Sequence, residues 1–297
     1  MKRILSFAAS LMALVLASSC VQEQFGPEPS DEVTATFTIA IPHDAATKAY
    51  GDGKFADKNV IIGLYDENGN LRGEPKVLNW KAGDLLSQSV EITFLMGKTY
   101  QIVFWAQYGD AYGKPADIMS AKKITMPYSS SNMENLDAFY AYVEPFTVTK
   151  DFSKSIVMKR PFAQVNFATT PGDIEEAIAA GIEPKAEVTI TNAANTLYLL
   201  GENQGETSFV AADGTETDYG TVVVPKTDFA AKDADGKRPQ IVVKEAAYDV
   251  LAMNYILVAD SGSADGKTTA DLKINVGEVE IEVNNANLKR NYRTNVI

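Results

Sequence analysis

From residue 33 onward the chain alternates apolar and polar positions with a period of two. In VTATFTIAI, Val33, Ala35, Phe37, Ile39 and Ile41 fall on one face, and Thr34, Thr36, Thr38 and Ala40 on the other. Successive side chains of a strand point to opposite faces, so this pattern with β-branched residues predicts a half-buried strand. NVIIGLYDENGNLRG reads as an apolar strand entering an Asn/Gly turn at Glu67–Asn70. SVEITF sets Val90, Ile92 and Phe94 against Glu91 and Thr93, and the mostly apolar TYQIVFWAQY reads as a central strand. FAQVNFAT places Phe162, Gln164 and Asn166 on one face and Ala163, Val165 and Phe167 on the other. AEVTITN, TVVVP, QIVVKE, YILVAD, DLKINV and EVEIEVNN continue the series.

One segment breaks the rhythm. TTPGDIEEAIAAG predicts a short helix, with Thr170 as N-cap, Pro171 at the first position and Gly181 as the stop. Its apolar face, Ile174, Ala177 and Ile178, suits a cover for one sandwich edge. Short strands separated by Gly, Asp, Asn and Pro predict an all-β fold of antiparallel β-sandwiches. Two such domains suit the chain length, and we place them at residues 32–155 and 156–297, the helix in the second.

The N-terminus follows a different pattern. Lys2 and Arg3 precede the apolar run Leu5–Ala17 and the small residues Ala17, Ser18 and Ser19. This is the three-part order of a secretory signal peptide, and its apolar part falls short of the roughly 20 residues a membrane span needs. It ends at Cys20, the single cysteine of the chain. The small-residue triplet before Cys20 resembles the lipobox of bacterial lipoproteins, although Ala17 stands where that motif has Leu, one place after Leu16. In that class the thiol is acylated and the cysteine becomes the first residue. Residues 1–19 are therefore the expected signal, Cys20 the expected lipidation site, and 20–31, with VQEQFGPEPSD, a tether too polar to fold alone. No disulfide within one chain is available to a single thiol.

Charge narrows the partners. Loss of Lys2 and Arg3 takes the 27 basic residues to 25 against 39 acidic ones, a net charge of about −14. Such a surface argues against nucleic acid and anionic lipid. Candidate chemistry is sparse. One histidine, His43, and one cysteine exclude the common zinc spacings and a Cys–His pair. No G-x-S-x-G elbow and no phosphate loop occurs. DENGNLRGE and DADGK lack the ligand spacing of a calcium loop. The acids lie in turns and on polar strand faces, where they keep a protein soluble, and nothing pairs them as a glycosidase needs. No metal, cofactor or catalytic residue is expected. Aromatic residues offer the remaining candidate site. Tyr100, Phe104, Trp105, Tyr108 and Tyr112 cluster downstream of Trp80. Trp105, Tyr108 and Tyr112 are the candidates for a sugar platform. The alternative is that the cluster is sandwich core, and adjacent Phe104 and Trp105 point to opposite faces, so one core face leaves at most one of them exposed.

HDAATKAYGDG, MKRPFAQVNF, YDVLAMNYILVA and LKRNYRTNVI together resemble the fimbrillin-like lipoproteins of Bacteroides-type bacteria, in a sub-branch labelled only as a domain of unknown function. The resemblance covers nearly the whole mature chain. It implies two tandem transthyretin-like β-sandwich domains, export as a lipoprotein and lipid-anchored display at the outer membrane surface. In the pilins of that family a protease cuts after a basic residue beyond the first strand, and a strand from the next subunit fills the vacated groove. Here Val33–Ile41 would be the removable strand and Lys48 the matching basic position. Two features depart from the family pattern. Lys48 stands where many relatives have arginine, and the chain stops at Ile297 where members continue into another strand, which suggests a truncated end. The resemblance implies a non-enzymatic structural or adhesion protein whose partners are the outer membrane and other fimbrillin subunits. The alternative is a surface glycan-binding lipoprotein that does not polymerise.

Overall fold

The computed structural model describes residues 32–41, 57–81, 87–130, 133–229, 231–258 and 267–297. The N-terminal half runs β1 (Glu32–Ala40), β2 (Lys58–Asp66), β3 (Lys76–Trp80), β4 (Ser87–Leu95), β5 (Thr99–Gln107), helix α1 (Pro115–Ala121), β6 (Lys123–Thr125), β7 (Phe139–Thr147) and β8 (Phe152–Val157). The C-terminal half runs β9 (Phe162–Thr169), α2 (Asp173–Ala179), β10 (Lys185–Ala193), β11 (Thr196–Tyr198), β12 (Thr207–Val210), β13 (Glu216–Thr217) and β14 (Gly220–Asp228). It ends with β15 (Gln240–Val243), β16 (Ala246–Leu257), β17 (Lys267–Val276), β18 (Val279–Lys289) and β19 (Arg293–Val296).

The strands pair as β4-β1-β8, β3-β2-β5-β7, β13-β12-β11-β6, β15-β16-β9-β19 and β14-β10-β17-β18. The fold is all-β and its pairing is mostly antiparallel, as the alternation predicts. Among the pairings whose register is described, β1 with β8 and β19 with β9 are parallel instead. TYQIVFWAQY becomes β5, central between β2 and β7.

Each sandwich closes on its own apolar faces. Phe37 and Ile39 of β1, Phe94 of β4 and Ile156 of β8 meet Ile62, Trp80, Phe104 and Val143 of the facing sheet. In the C-terminal half Val165 and Phe167 of β9 and Ile256 of β16 meet Val188, Ile190, Val224, Leu272 and Ile274. The opposite faces of the two inner sheets are also apolar. Ile61, Val103 and Trp105 share a third core with Phe162, Met253, Tyr255 and Leu257, closed by α1 and the small β6-β11-β12-β13 sheet. Residues Val33–Ile297 consequently form one compact unit. Burying both faces of a sheet removes the polar-out half of the alternation, which accounts for the uniformly buried β5 and β9. The expected boundary after residue 155 falls inside β8, which stays beside β1.

Both described α-helices depart from expectation. α2 begins later than the Thr170 cap predicts, because Gly172 takes the N-cap position at φ +99°. Glycine alone adopts that conformation without a Cβ penalty, so it wins over the threonine. Thr170 contributes its carbonyl to the Asp173 N–H, at 3.2 Å, and Thr169 Oγ1 donates to the Asp173 carboxylate at 2.6 Å. Ile174 is buried, while Ile178 stays 36% exposed. α1 was not legible in the sequence. It starts at a proline, has seven residues, and buries Ile118 and Met119 in the core they share with Tyr65, whose hydroxyl donates to the Met119 carbonyl at 2.7 Å.

Candidate functional site

The first strand occupies a seat built by residues far away in sequence. β1 pairs with β8 from Ala35 opposite Phe152 to Ala40 opposite Val157, and β4 borders its other edge. The Thr34 N–H donates to Asp151 Oδ1 at 3.0 Å, and the Met158 N–H donates to the Ala40 carbonyl at 2.9 Å, which fixes the register at both ends. Val33, Ala35, Phe37, Ile39 and Ile41 are each at most 3% exposed. The Phe37 ring lies 5.8–6.2 Å from those of Phe152, Phe104 and Phe94. Burying the four larger side chains stabilises the fold by about 6–12 kcal/mol, at about 1.5–3 kcal/mol each. That is on the scale of the net stability of a whole domain, about 5–15 kcal/mol. A chain without β1 would expose two strand edges flanking an apolar slot, the geometry that receives an added strand. Cys20, Lys48 and His43, with residues 1–19 and the 20–31 tether, lie outside the described residues.

The candidate aromatic platform is mostly core. Trp105 is fully buried, as is Phe104 on the other side of β5, because a second sheet covers each face. The sequence argument allowed one of these two to face solvent; neither does. The Trp105 indole N–H donates to Gln107 Oε1 at 2.9 Å, and Gln107 Nε2 holds the carbonyls of Gly109 and Gly113 at 2.8 and 2.9 Å. That bracket places Tyr112 edge-on to Trp105, with 5.1 Å between ring centres, and stacked on Phe162 at 6.1 Å. Burial, with the Asp137 charge adding, pushes the Tyr112 hydroxyl well above the usual tyrosine range, and it donates to the Leu136 carbonyl. Tyr108 alone of the three is exposed, at 43%.

Three of the four segments that carry the family resemblance converge on one sheet. MKRPFAQVNF supplies β9, YDVLAMNYILVA most of β16, and LKRNYRTNVI the end of β18 and all of β19. Two sets of polar contacts link the first and last of these segments. Arg160 grips Asp137 through Nε and Nη2 at 2.6 and 2.8 Å, and its Nη1 donates to Asn291 Oδ1 at 2.8 Å. Its guanidinium lies 5.0 Å over the Phe139 ring and 5.9 Å from that of Tyr255. Gln164 Nε2 donates to Asn166 Oδ1 at 2.9 Å, and Asn166 Nδ2 donates to Asn295 Oδ1 at 2.8 Å. These contacts were not legible in the sequence, where MKRP stood out only within MKRPFAQVNF, through its family resemblance. The available signal was an arginine and two amides placed in or beside apolar strands.

Two clefts are formed by described residues. One, of about 320 Å3, is lined by Asp66, Glu67, Arg72, Lys98 and Tyr100. Its charges have both signs, and the Asp66 carboxylate is already taken by the N–H groups of Asn70 and Asn68, which hold its pKa below the usual range. The other, of about 160 Å3, is apolar and lies beside α2, against Ile174, Phe229, Val279 and Ile281. Among the described residues no group of three His, Cys, Asp or Glu side chains could hold a metal ion, and no helix is long and apolar enough to cross a membrane.

Comparison with curated proteins finds no match. Among solved structures, a Bacteroides thetaiotaomicron protein provisionally described as polysaccharide-binding is similar at 12% identity, with a TM-score of 0.45 over 85% of this chain and 80% of that one. A fimbrial assembly protein from Parabacteroides distasonis is similar at 11% identity and a TM-score of 0.41, over 89% of this chain and 90% of that one. A fimbrial anchor protein from Porphyromonas gingivalis is similar at 11% identity and a TM-score of 0.42, over 84% and 82%. Likeness at this level assigns no activity to this chain. Residues 27–297, the three convergent segments included, match the model of a family of unknown function (DUF6562), and the chain belongs to that family.

Proposed function

We propose that this protein is a non-enzymatic, lipid-anchored structural or adhesion protein of the outer membrane surface, able to assemble by strand exchange at the β1 seat. The observation that carries the reading is β1 itself: the first strand of the fold, wholly buried on its inner face, held between two strands that come later in the chain. The connection that follows it contains Lys48, the expected cleavage position. Cleavage there and loss of β1 would leave a slot whose backbone edges give affinity and whose alternate apolar positions give register to a strand from another subunit. The Cys20 pattern supplies the anchor, since acyl chains hold a protein to a membrane by about 0.8 kcal/mol per buried CH2. Surface glycan binding without polymerisation is the competing reading, and only Tyr108 of its three platform residues is exposed.

Intact mass and N-terminal sequencing of the protein from its native membrane test the proposal. A lipidated chain starting at Cys20 supports the anchor. A chain starting at Ala49 supports strand exchange. Retention of Val33–Ile41 in every form, including assembled material, would remove strand exchange and leave a monomeric lipoprotein.

A further inference from the structure

The geometry points to Arg160 as a latch that fastens the C-terminal strand β19 to the N-terminal sandwich. This inference does not depend on the proposed function. Arg160 follows β8 in the short connection between the sandwiches. Its neighbour Lys159 exchanges both backbone hydrogen bonds with Tyr140 of β7, each at 2.9 Å, so the N-terminal sheet sets where Arg160 stands. The guanidinium is 2% exposed with its residue, and its fork spans both oxygens of Asp137, which lies two residues before β7. A buried bidentate pair of this kind has a fixed orientation. That orientation aims Nη1 at Asn291 Oδ1, 2.8 Å away.

Asn291 is the entry to β19. It sits at φ +62°, where asparagine is tolerated better than other residues with a side chain, and its N–H donates to the Phe162 carbonyl at 2.8 Å. The strand it launches is weakly held by its own ladder. β19 has four residues, is half-buried throughout and, among the described residues, has β9 as its one ladder partner, with side-chain bonds from Asn166 to Asn295 and from Thr294 to the Asn287 carbonyl beside it. A short edge strand with one neighbour belongs to the low-stability end of a fold. The Asn291 contact therefore makes the docking of β19 conditional on the Asp137–Arg160 pair: parting the sandwiches at the middle core unlatches the last strand.

Hydrogen exchange on the full chain tests this. Arg160→Met risks unfolding the protein, so the variants are placed at Asn291. Asn291→Gly keeps the left-handed backbone and removes the acceptor; Asn291→Asp keeps both. The amides of Arg293–Val296 should exchange about tenfold faster or more in Asn291→Gly, the scale of one hydrogen bond to a charged group. The amides of β10 should be unchanged, and Asn291→Asp should keep the original protection. Equal protection of β19 in Asn291→Gly would overturn the latch. So would acceleration spread evenly over β10 and β19, which would mean a general loss of stability, or acceleration in Asn291→Asp equal to that in Asn291→Gly.

Discussion

Phe37→Ala tests how far β1 is integral to the N-terminal core. Phe37 is fully buried, and its ring is enclosed by Phe94 of β4, Phe104 of β5 and Phe152 of β8. A buried Phe→Ala change costs about 3–5 kcal/mol, and the cost depends on how far the walls collapse into the hole. Here the walls come from three different strands in two sheets, each pinned by its own ladder, so collapse is restricted and the upper half of the range is expected. Guanidinium unfolding read by tryptophan fluorescence measures it, because Trp80 is buried in the same core. With a slope of about 5 kcal/mol per molar denaturant, a loss of about 4–5 kcal/mol should lower the midpoint by about 0.8–1 M. Thr36→Ala, on the other face of the same strand, should move it by about 0.1 M or less, in line with surface substitutions of about 0.5 kcal/mol. Equal shifts for the two variants would refute the assignment of faces on β1. A Phe37→Ala shift below about 0.2 M would refute the claim that the strand is a working part of the core.

Arg160→Met should destabilise by about 3–5 kcal/mol, seen as a fall in thermal midpoint of roughly 10 °C, because Asp137 is left buried without its partner. Replacing Arg160 and Asp137 together by apolar residues should recover most of that loss, and a double variant no better than the single one would contradict the reasoning. Gly63→Ala should cost about 1–3 kcal/mol by chemical denaturation, since its Cβ would stand 2.6 Å from Met119 Sδ and 3.0 Å from the Tyr65 ring. In acid, Glu175, Glu183, Glu216 and Asp66 all have folded pKa values below their ordinary 4.5 or 3.8, held there by hydrogen bonds from Lys232 and Arg238, Lys226, Tyr198 and the Asn70 N–H respectively. Depressed carboxylates contribute stability that is present above those ordinary values and lost as pH falls through the folded ones. The thermal midpoint should therefore drop below about pH 4.5, and a constant midpoint down to pH 3 would count against these contacts. In alkali the sign reverses: burial raises Tyr65, Tyr112 and Tyr128 above 10, so their stabilisation is complete below that value and lost as pH rises beyond it. Tyrosinate absorbance from these three should appear only with unfolding.

The inner face of β1 was legible down to single residues, because Val33, Ala35, Phe37 and Ile39 differ in polarity from the threonines between them, and Ile41 continues the period beyond Ala40. β5 was legible as a central strand for the opposite reason, since it has no polar face to offer solvent. The aromatic cluster was less legible. Nothing local distinguishes a tryptophan under a second sheet from one under water, and Trp105 required the knowledge that β9 and β16 lie opposite. α2 was found, with its cap misplaced by two residues, because a threonine was weighed without the left-handed turn at Gly172. α1 was lost, since seven residues starting at a proline give too short a period to separate from a turn.

By itself, then, the sequence determined the longer strands with clear alternation or an unbroken apolar run, the inward positions of β1 and the charge of the surface, because pleat geometry and solvation act on neighbouring residues; short strands such as β3, β6, β11 and β19 left no such pattern. The tertiary structure decided which strands meet. β1 lies parallel to β8, and Asn291 meets Arg160 across 131 residues of chain. Such pairings depend on closing long loops and on which sheet covers a strand's second face: the apolar run of β5 records that both faces are covered, and nothing in it records by what.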